Sequence, residues 1–349
     1  MSTMQAVVLT GERTVEVQKV GRPGELSPTD ALVRIDLAAI CGTDLHVYER
    51  TMPVETGVIM GHEFVGTVEA VGSAVRQFEP GDRVAGSCVA SCGNCRSCRR
   101  GHSAVCADMR VYGLGAGFGD LPGVHAQFAV APFADGSLRR ITDASKAEDM
   151  LFVGDILTTA YEAVRQSFRP GDAVAVVGAG PVGLCAVMSA KAIGAGTIAV
   201  LDTVPERLAL AEKLGATPVD VSREDAVDAV FDLTGRRGAD VVVEAVGSPA
   251  ALSSACKVVA VGGQIALPGA HLEPSLELPL GELWIKQVSV KGGVCNVVNY
   301  IDEVIALVEA GALKPSAIIS HRIPLSEAAD AYDLFARREA VKVVLDPSK

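Results

Sequence analysis

Two patterns of hydrophobic and polar positions divide the chain. Up to about residue 150, short apolar segments alternate with polar positions and are punctuated by Gly, Pro and Asp, as in Leu32-Val33-Arg34-Ile35-Asp36-Leu37 and Asp82-Arg83-Val84-Ala85. A period of two between turn residues predicts a β-rich, partly barrel-like domain. From about Asp155 to Val294 the apolar runs at 173–177, 197–201, 240–244 and 264–267 are short and unbroken, and helical stretches separate them. Strands buried on both faces read this way, so this part predicts βαβ units around a parallel sheet. One helix opens with Pro205, carries Leu208, Ala211 and Leu214 on one face and stops at Gly215. Beyond Val294, the residues Ile301, Val304, Ile305 and Val308 mark a helix ending at Gly311, and a last apolar strand runs through Val341, Val343 and Val344. The tail is expected to return to the first domain. The segments FEPGDRV at 78–84 and FRPGDAV at 168–174 predict one turn-to-strand device used twice.

With 349 residues, 49% of them hydrophobic and 21% charged, the chain is long enough for two globular domains and too apolar to be largely disordered. Its 36 glycines and 4% aromatics indicate many tight turns and cores of small aliphatic side chains, as in an α/β enzyme. A formal charge of −11 repels phosphate backbones and argues against nucleic acid as a partner. The only basic concentration is Arg96, Arg99 and Arg100. No signal pattern opens the sequence and no apolar run reaches the length of a membrane span, so a cytoplasmic protein is expected. Nine cysteines, an odd number, also fit a reducing compartment better than a disulfide framework.

Four of those cysteines, Cys92, Cys95, Cys98 and Cys106, fall in SCGNCRSCRRGHSAVC with C-x2-C-x2-C-x7-C spacing. That spacing lets one loop fold four thiolates around a tetrahedral ion, and an all-sulfur shell selects zinc. A shell of four protein ligands has no open position, so this ion is expected to be structural.

The run 173–177 leads straight into Gly178-Ala179-Gly180-Pro181-Val182-Gly183, and a helix-compatible stretch follows to Gly194. In such a GxGxxG turn, Gly178 permits the tight turn, Gly180 lets a pyrophosphate approach the backbone and Gly183 lets helix pack on strand, with the helix N-terminus facing the anion. Asp202 ends the next apolar run, about 20 positions on, where an acidic side chain takes the adenosine ribose hydroxyls and repels a 2′-phosphate. NAD is therefore expected over NADP, although Arg207 stands near enough to hold such a phosphate.

Two further segments, Ile40-Cys41-Gly42-Thr43-Asp44-Leu45-His46 and Gly61-His62-Glu63-Phe64-Val65-Gly66, are ambiguous singly. Together, Gly61, His62, Glu63, Gly66, Gly72 and Val75 form GHE-x2-G-x5-G-x2-V, which resembles the zinc signature of the medium-chain dehydrogenase/reductase superfamily, specifically its zinc-dependent alcohol dehydrogenases. The resemblance covers essentially the whole chain. It implies an α/β fold with a β-rich GroES-like catalytic domain, residues 1–152 and 295–349, and a Rossmann coenzyme domain with a doubly wound parallel sheet, residues 153–294.

It further implies two zinc ions per chain. Cys41 and His62 match the first two ligands of a catalytic zinc, and Asp155 stands where a second cysteine is commoner, as in the secondary alcohol dehydrogenase and formaldehyde dehydrogenase-like branch. An ordinary helix N-cap is the other reading of Asp155. Glu63 matches a residue that exchanges onto the metal, and Thr43 and His46 match a proton relay. One thiolate, one imidazole and one carboxylate leave zinc an open position for an alcohol or carbonyl oxygen.

By the same resemblance the substrate cleft lies between the domains, with Tyr112, Trp284, Val294 and Cys295 as candidates for its walls and the GGVC run at 292–295 bordering nicotinamide. Tyr112 and Trp284 read equally well as core or subunit-interface aromatics. No basic motif announces a charged substrate, so a small neutral alcohol, aldehyde or ketone is expected. The same residues fit an aldehyde dismutase that retains its NAD. Threonine and polyol dehydrogenases share CGTDLH and GHE, but the DILTTAYEA context of the third ligand speaks against them. A zinc-ribbon binding protein with an inert enzyme-like domain is the alternative from another class. Similar bacterial enzymes imply a homo-oligomer, with tetramer favoured over dimer.

Overall fold

The computed structural model describes residues 2–349, which divide into two compact units. The first comprises the chain up to Asp155 with Asn296–Glu309 and Ile319–Lys349; the second comprises Ile156–Cys295 with Ala310–Ile318.

In the first unit a seven-stranded sheet is centred on Ala31–Ala39, which pairs antiparallel with Glu63–Val71, Phe128–Ala131 and Val343–Asp346. Period-two burial is visible at its heart: Val33 and Ile35 are buried while Arg34 between them is exposed. These side chains join Phe64, Val68, Val84, Tyr112 and Leu138 in one core cluster. The pairing with Val343–Asp346 brings the end of the chain beside Ala39.

The second unit is built on a six-stranded parallel sheet in the order Thr217–Asp220, Thr197–Asp202, Ala173–Val177, Ala239–Glu244, Val259–Leu267, Ser289–Gly292. Ala173–Val177 is buried throughout, as expected of a central strand covered on both faces. The helix Pro205–Leu214 starts at the proline and ends at Gly215, whose φ of 105° is the left-handed cap glycine supplies without strain.

The two PGD segments adopt one local structure. In each, Gly81 or Gly171 has a positive φ, and the following aspartate accepts a backbone N–H three residues back: Glu79 N to Asp82 Oδ2 at 2.9 Å, and Arg169 N to Asp172 Oδ2 at 2.7 Å. A strand leaves immediately after each, at Arg83–Gly86 and Ala173–Val177. No helix among the described residues is long and apolar enough to cross a membrane.

Candidate functional site

Strand register assembles the first half of the site. Ala39 lies opposite Glu63, so the segment leaving one strand at Ile40-Cys41 sits beside the segment entering the next at His62-Glu63. Cys41 is the N-cap of the helix Gly42–Tyr48. Asp155 enters from a turn held against residues 86–88: Cys88 N donates to Gly154 O at 2.9 Å, and a Cβ at position 154 would lie 1.8 Å from Gly86 O. Only glycine fits there, which fixes the backbone one residue before the carboxylate.

The result is one donor atom from each of Cys41, His62, Glu63 and Asp155 within 4.8 Å of one another. Asp155 Oδ2 lies 3.4 Å from Cys41 Sγ and 3.2 Å from His62 Nε2. Its carboxylate points into the cluster.

The cluster sits in a dry, acidic environment. Burial, with the Asp155 charge beside it, pushes the Cys41 thiol up to about 11. Burial likewise pushes Glu63 up to about 7, against the pull of Lys342. Burial would also raise Asp155, but the hydrogen bond and charge of His62 hold it at about 2. Glu63 Oε2 is buried without a partner. Three acidic donors and an imidazole, crowded together with a spare carboxylate oxygen, form a set that a divalent cation satisfies, and Cys, His and carboxylate donors suit zinc.

A second donor group lies in the same unit. The thiols of Cys92, Cys95, Cys98 and Cys106 also lie within 4.8 Å of one another. Cys106 Sγ is 3.4 Å from Cys92 Sγ and accepts the backbone N–H groups of Cys92 and Asp108 at 3.3 Å, the kind of bond that favours thiolate. Asn296 Oδ1 accepts Ala104 N at 3.2 Å and Asn299 Nδ2 donates to Gly101 O at 2.9 Å, bracing the loop with residues at the start of the helix Val297–Glu309.

In the second unit, Gly178 has a φ of 97° and Gly183 packs so closely that a Cβ there would lie 1.8 Å from Gly178 O. A Cβ at Gly180, by contrast, would meet nothing within 4 Å, so the space before the helix Pro181–Ala192 is open to a ligand. Pro181 occupies the first turn of that helix, and no side chain caps it at Gly180. Its N-terminal amides are thus left for an anion.

Two family models match, "Alcohol dehydrogenase GroES-like domain" over residues 27–138 and "Zinc-binding dehydrogenase" over residues 181–310. The sorbitol dehydrogenase of Bacillus subtilis is 32% identical, covering 99% of this chain and 98% of its own. The chain belongs to the zinc-dependent alcohol dehydrogenases. It is a member of the medium-chain dehydrogenase/reductase superfamily, with a GroES-like domain and a Rossmann coenzyme domain. The solved alcohol dehydrogenase TADH from Thermus sp. ATN1 superposes with a TM-score of 0.95 at 44% identity, covering 98% of this chain and 99% of that one. A zinc-binding dehydrogenase from Sinorhizobium meliloti, TM-score 0.89 at 30% identity and covering 99% and 100% of the two chains, was solved with NADP. An alcohol dehydrogenase from Escherichia coli CFT073, TM-score 0.88 at 28% identity with the same coverages, was solved with NADH.

The remaining residues expected at the site of this dehydrogenase fall in varied places. Thr43 and His46 are half-buried on the helix Gly42–Tyr48, and His46 Nδ1 lies 3.1 Å from Thr51 Oγ1. Asp202 ties the end of its strand to the glycine loop: Oδ2 accepts Ala179 N at 2.6 Å, and Oδ1 accepts Thr203 N at 2.7 Å and Val204 N at 2.9 Å. Arg207 lies half-buried in the first turn of the helix Pro205–Leu214, Val294 is exposed and Cys295 is buried. Tyr112 belongs to the core, not to a substrate wall: it is 1% exposed, donates to Val130 O at 3.1 Å and meets Phe64 edge-on at 5.5 Å. Trp284 is 79% exposed.

Three residues around the metal donors escaped the sequence reading. Asp44 accepts Cys41 N at 2.8 Å through Oδ2, while Oδ1 lies 3.2 Å from His62 Nδ1. Lys342, fully buried, bonds Glu63 Oε1 at 2.7 Å and Ile40 O at 2.9 Å. Cys88 Sγ approaches Asp155 Oδ1 at 3.5 Å. Asp44 had a signal, since it stands three residues after Cys41, where a helix-opening carboxylate reaches back to the cap.

Proposed function

We propose that this dehydrogenase transfers a hydride between a small neutral primary or secondary alcohol and NAD+, with Cys41, His62 and Asp155 holding a catalytic zinc and Cys92, Cys95, Cys98 and Cys106 a structural one. The convergence of Cys41, His62, Glu63 and Asp155 donors within 4.8 Å carries the reading. Bound there, zinc supplies a Lewis acid with an open position, which favours loss of the alcohol proton near neutral pH.

The chain's own groups do the rest. Asp44 fixes the ring of His62 from the far side, the usual task of a carboxylate behind a metal-ligating histidine. Lys342 holds Glu63, the candidate exchanging donor, beside the cluster. The Thr43 hydroxyl takes the alcohol proton as it gives its own onward, and His46, oriented by Thr51, is the group that delivers a proton outward. Gly178, Gly180 and Gly183 shape the turn that admits the pyrophosphate and Pro181 opens the helix without a donor, so the Val182 and Gly183 amides at the helix N-terminus receive the anion, and the Asp202 carboxylate favours NAD by repelling a 2′-phosphate, with Arg207 the nearby cation that a phosphate would need. Val294 borders the nicotinamide.

Catalytic and coenzyme domains are proposed at residues 1–152 with 295–349 and at 153–294. The protein is proposed to be cytoplasmic, in keeping with nine cysteines and no disulfide among the described residues, and a homo-oligomer, tetramer over dimer. A panel of primary alcohols, secondary alcohols, polyols, threonine and formaldehyde, followed by NADH absorbance with NAD and NADP in parallel, tests the substrate and coenzyme. Turnover of simple alcohols with NAD is expected. A lower Michaelis constant for NADP, or turnover confined to threonine or polyols, would overturn the assignment.

A further inference from the structure

Glu244, fully buried, and His271, 14% exposed, form a pair that neither the metal site nor the glycine loop uses. Glu244 is the last residue of Ala239–Glu244 and is 0% exposed. Its Oε1 accepts Val246 N and Gly247 N, each at 2.9 Å, closing the turn that follows the strand. Its Oε2 lies 2.8 Å from His271 Nε2, and Gly269 N donates to Glu244 O at 3.2 Å. His271 lies in the segment after Val259–Leu267, the neighbouring strand. One carboxylate thus clamps together the loops that leave two adjacent strands.

The position of this clamp in the sheet gives it meaning. Strand order reverses between Ala173–Val177 and Ala239–Glu244, and in open parallel sheets ligands bind outside the carboxyl ends of the strands at that reversal. The loop 245–248 stands at that point: a Cβ on Gly178 would lie 2.5 Å from Val246 Cγ2, so Val246 packs directly on the first glycine of the GxGxxG turn. Gly247 and Ala270 approach closely enough that a Cβ on Gly247 would lie 2.4 Å from Ala270 O. Asp202 lies on the other side of the reversal, tied to Ala179. The two halves of such a sheet each take one mononucleotide, and the Asp202 half takes adenosine. The Glu244–His271 half is left for the nicotinamide mononucleotide.

We infer that His271, held by Glu244, is a positioning residue for the nicotinamide half of the coenzyme, setting the loops 245–248 and 268–271 at the spacing that half requires. The inference rests on the dinucleotide reading above. With Nε2–H given to the carboxylate, Nδ1 is an acceptor that is buried and has no partner in the protein.

The test uses the whole zinc-loaded protein and two probes, NADH and AMP, the second occupying the adenosine half alone. His271→Leu should raise the Kd for NADH about tenfold, the loss of one hydrogen bond to a charged group, while the Kd for AMP stays within about twofold. His271→Gln, which keeps an N–H donor, should bind NADH within about threefold of the unsubstituted protein. Unchanged NADH affinity in His271→Leu would overturn the inference. So would a parallel loss of AMP affinity, which marks a general loosening of the domain, or a Gln variant as weak as the Leu variant. Failure of the unsubstituted protein to bind NADH would count against the coenzyme reading itself.

Discussion

Lys342 and Glu63 are both fully buried and 2.7 Å apart, and Lys342 also lies 5.5 Å from the centre of the Phe152 ring. Removing the lysine head takes from Glu63 its direct hydrogen-bonded ion-pair partner inside the core, and in the metal-free protein that is a loss of about 3–5 kcal/mol. Lys342→Met should therefore unfold at markedly lower urea, while Glu63→Gln with Lys342→Met should recover much of that loss. A loss below about 1 kcal/mol in the single variant would show that the pair is not the buried clamp described here. Cys41 and His62 were legible because their local contexts match a known signature. Lys342 was not, because VKVVL reads as a strand with one solvent-facing lysine, and its partner Ile40 O is 302 residues away in sequence. Only the parallel and antiparallel pairings of Val343–Asp346 put the ammonium inside.

At the scale of elements, the central strands of the second unit could be read directly, since unbroken runs of small aliphatic residues between helical stretches have few other solutions. The two PGD turns were legible for a local reason: glycine at positive φ and an aspartate that binds its own backbone need no distant partner. Ends were less so. The last strand begins at Val343, not Val341, because Val341 N and Lys342 N donate to Ser320 Oγ at 3.0 and 3.2 Å instead of entering the ladder. The run at 264–267 is only the end of a strand that starts at Val259 and bends through Gly262, whose φ is 74°. The neighbours of Ala31–Ala39, drawn from segments about 30 to 310 residues away, could not be read from periodicity, because a period of two fixes which side chains face inward but not which strand lies alongside.

At the scale of the whole molecule, apolar side chains gather on the second unit where its sheet ends. Ser289–Gly292 is an edge strand exposed along its length, and on the nearby helix Leu280–Ile285 the residues Leu280, Trp284 and Ile285 are 71%, 79% and 74% exposed. An unpaired strand edge beside exposed large apolar groups is a surface that a monomer rarely keeps uncovered, which supports the proposed homo-oligomer. Ile285→Glu should reduce the assembly by at least half in light scattering at micromolar protein; a monomeric unsubstituted protein would contradict the proposal.

The central claim is that Cys41, His62 and Asp155 hold a catalytic zinc apart from the one in the four-cysteine loop. Metal content per chain tests it most directly, measured for the unsubstituted protein and for His62→Ala, with NADH affinity as the check on folding. Two zinc ions in the first and one in the second are expected, with turnover abolished and NADH binding within about twofold, because the proposed metal and coenzyme residues belong to different units. A His62→Ala protein that keeps two zinc ions, or that still turns over alcohol, would contradict the account.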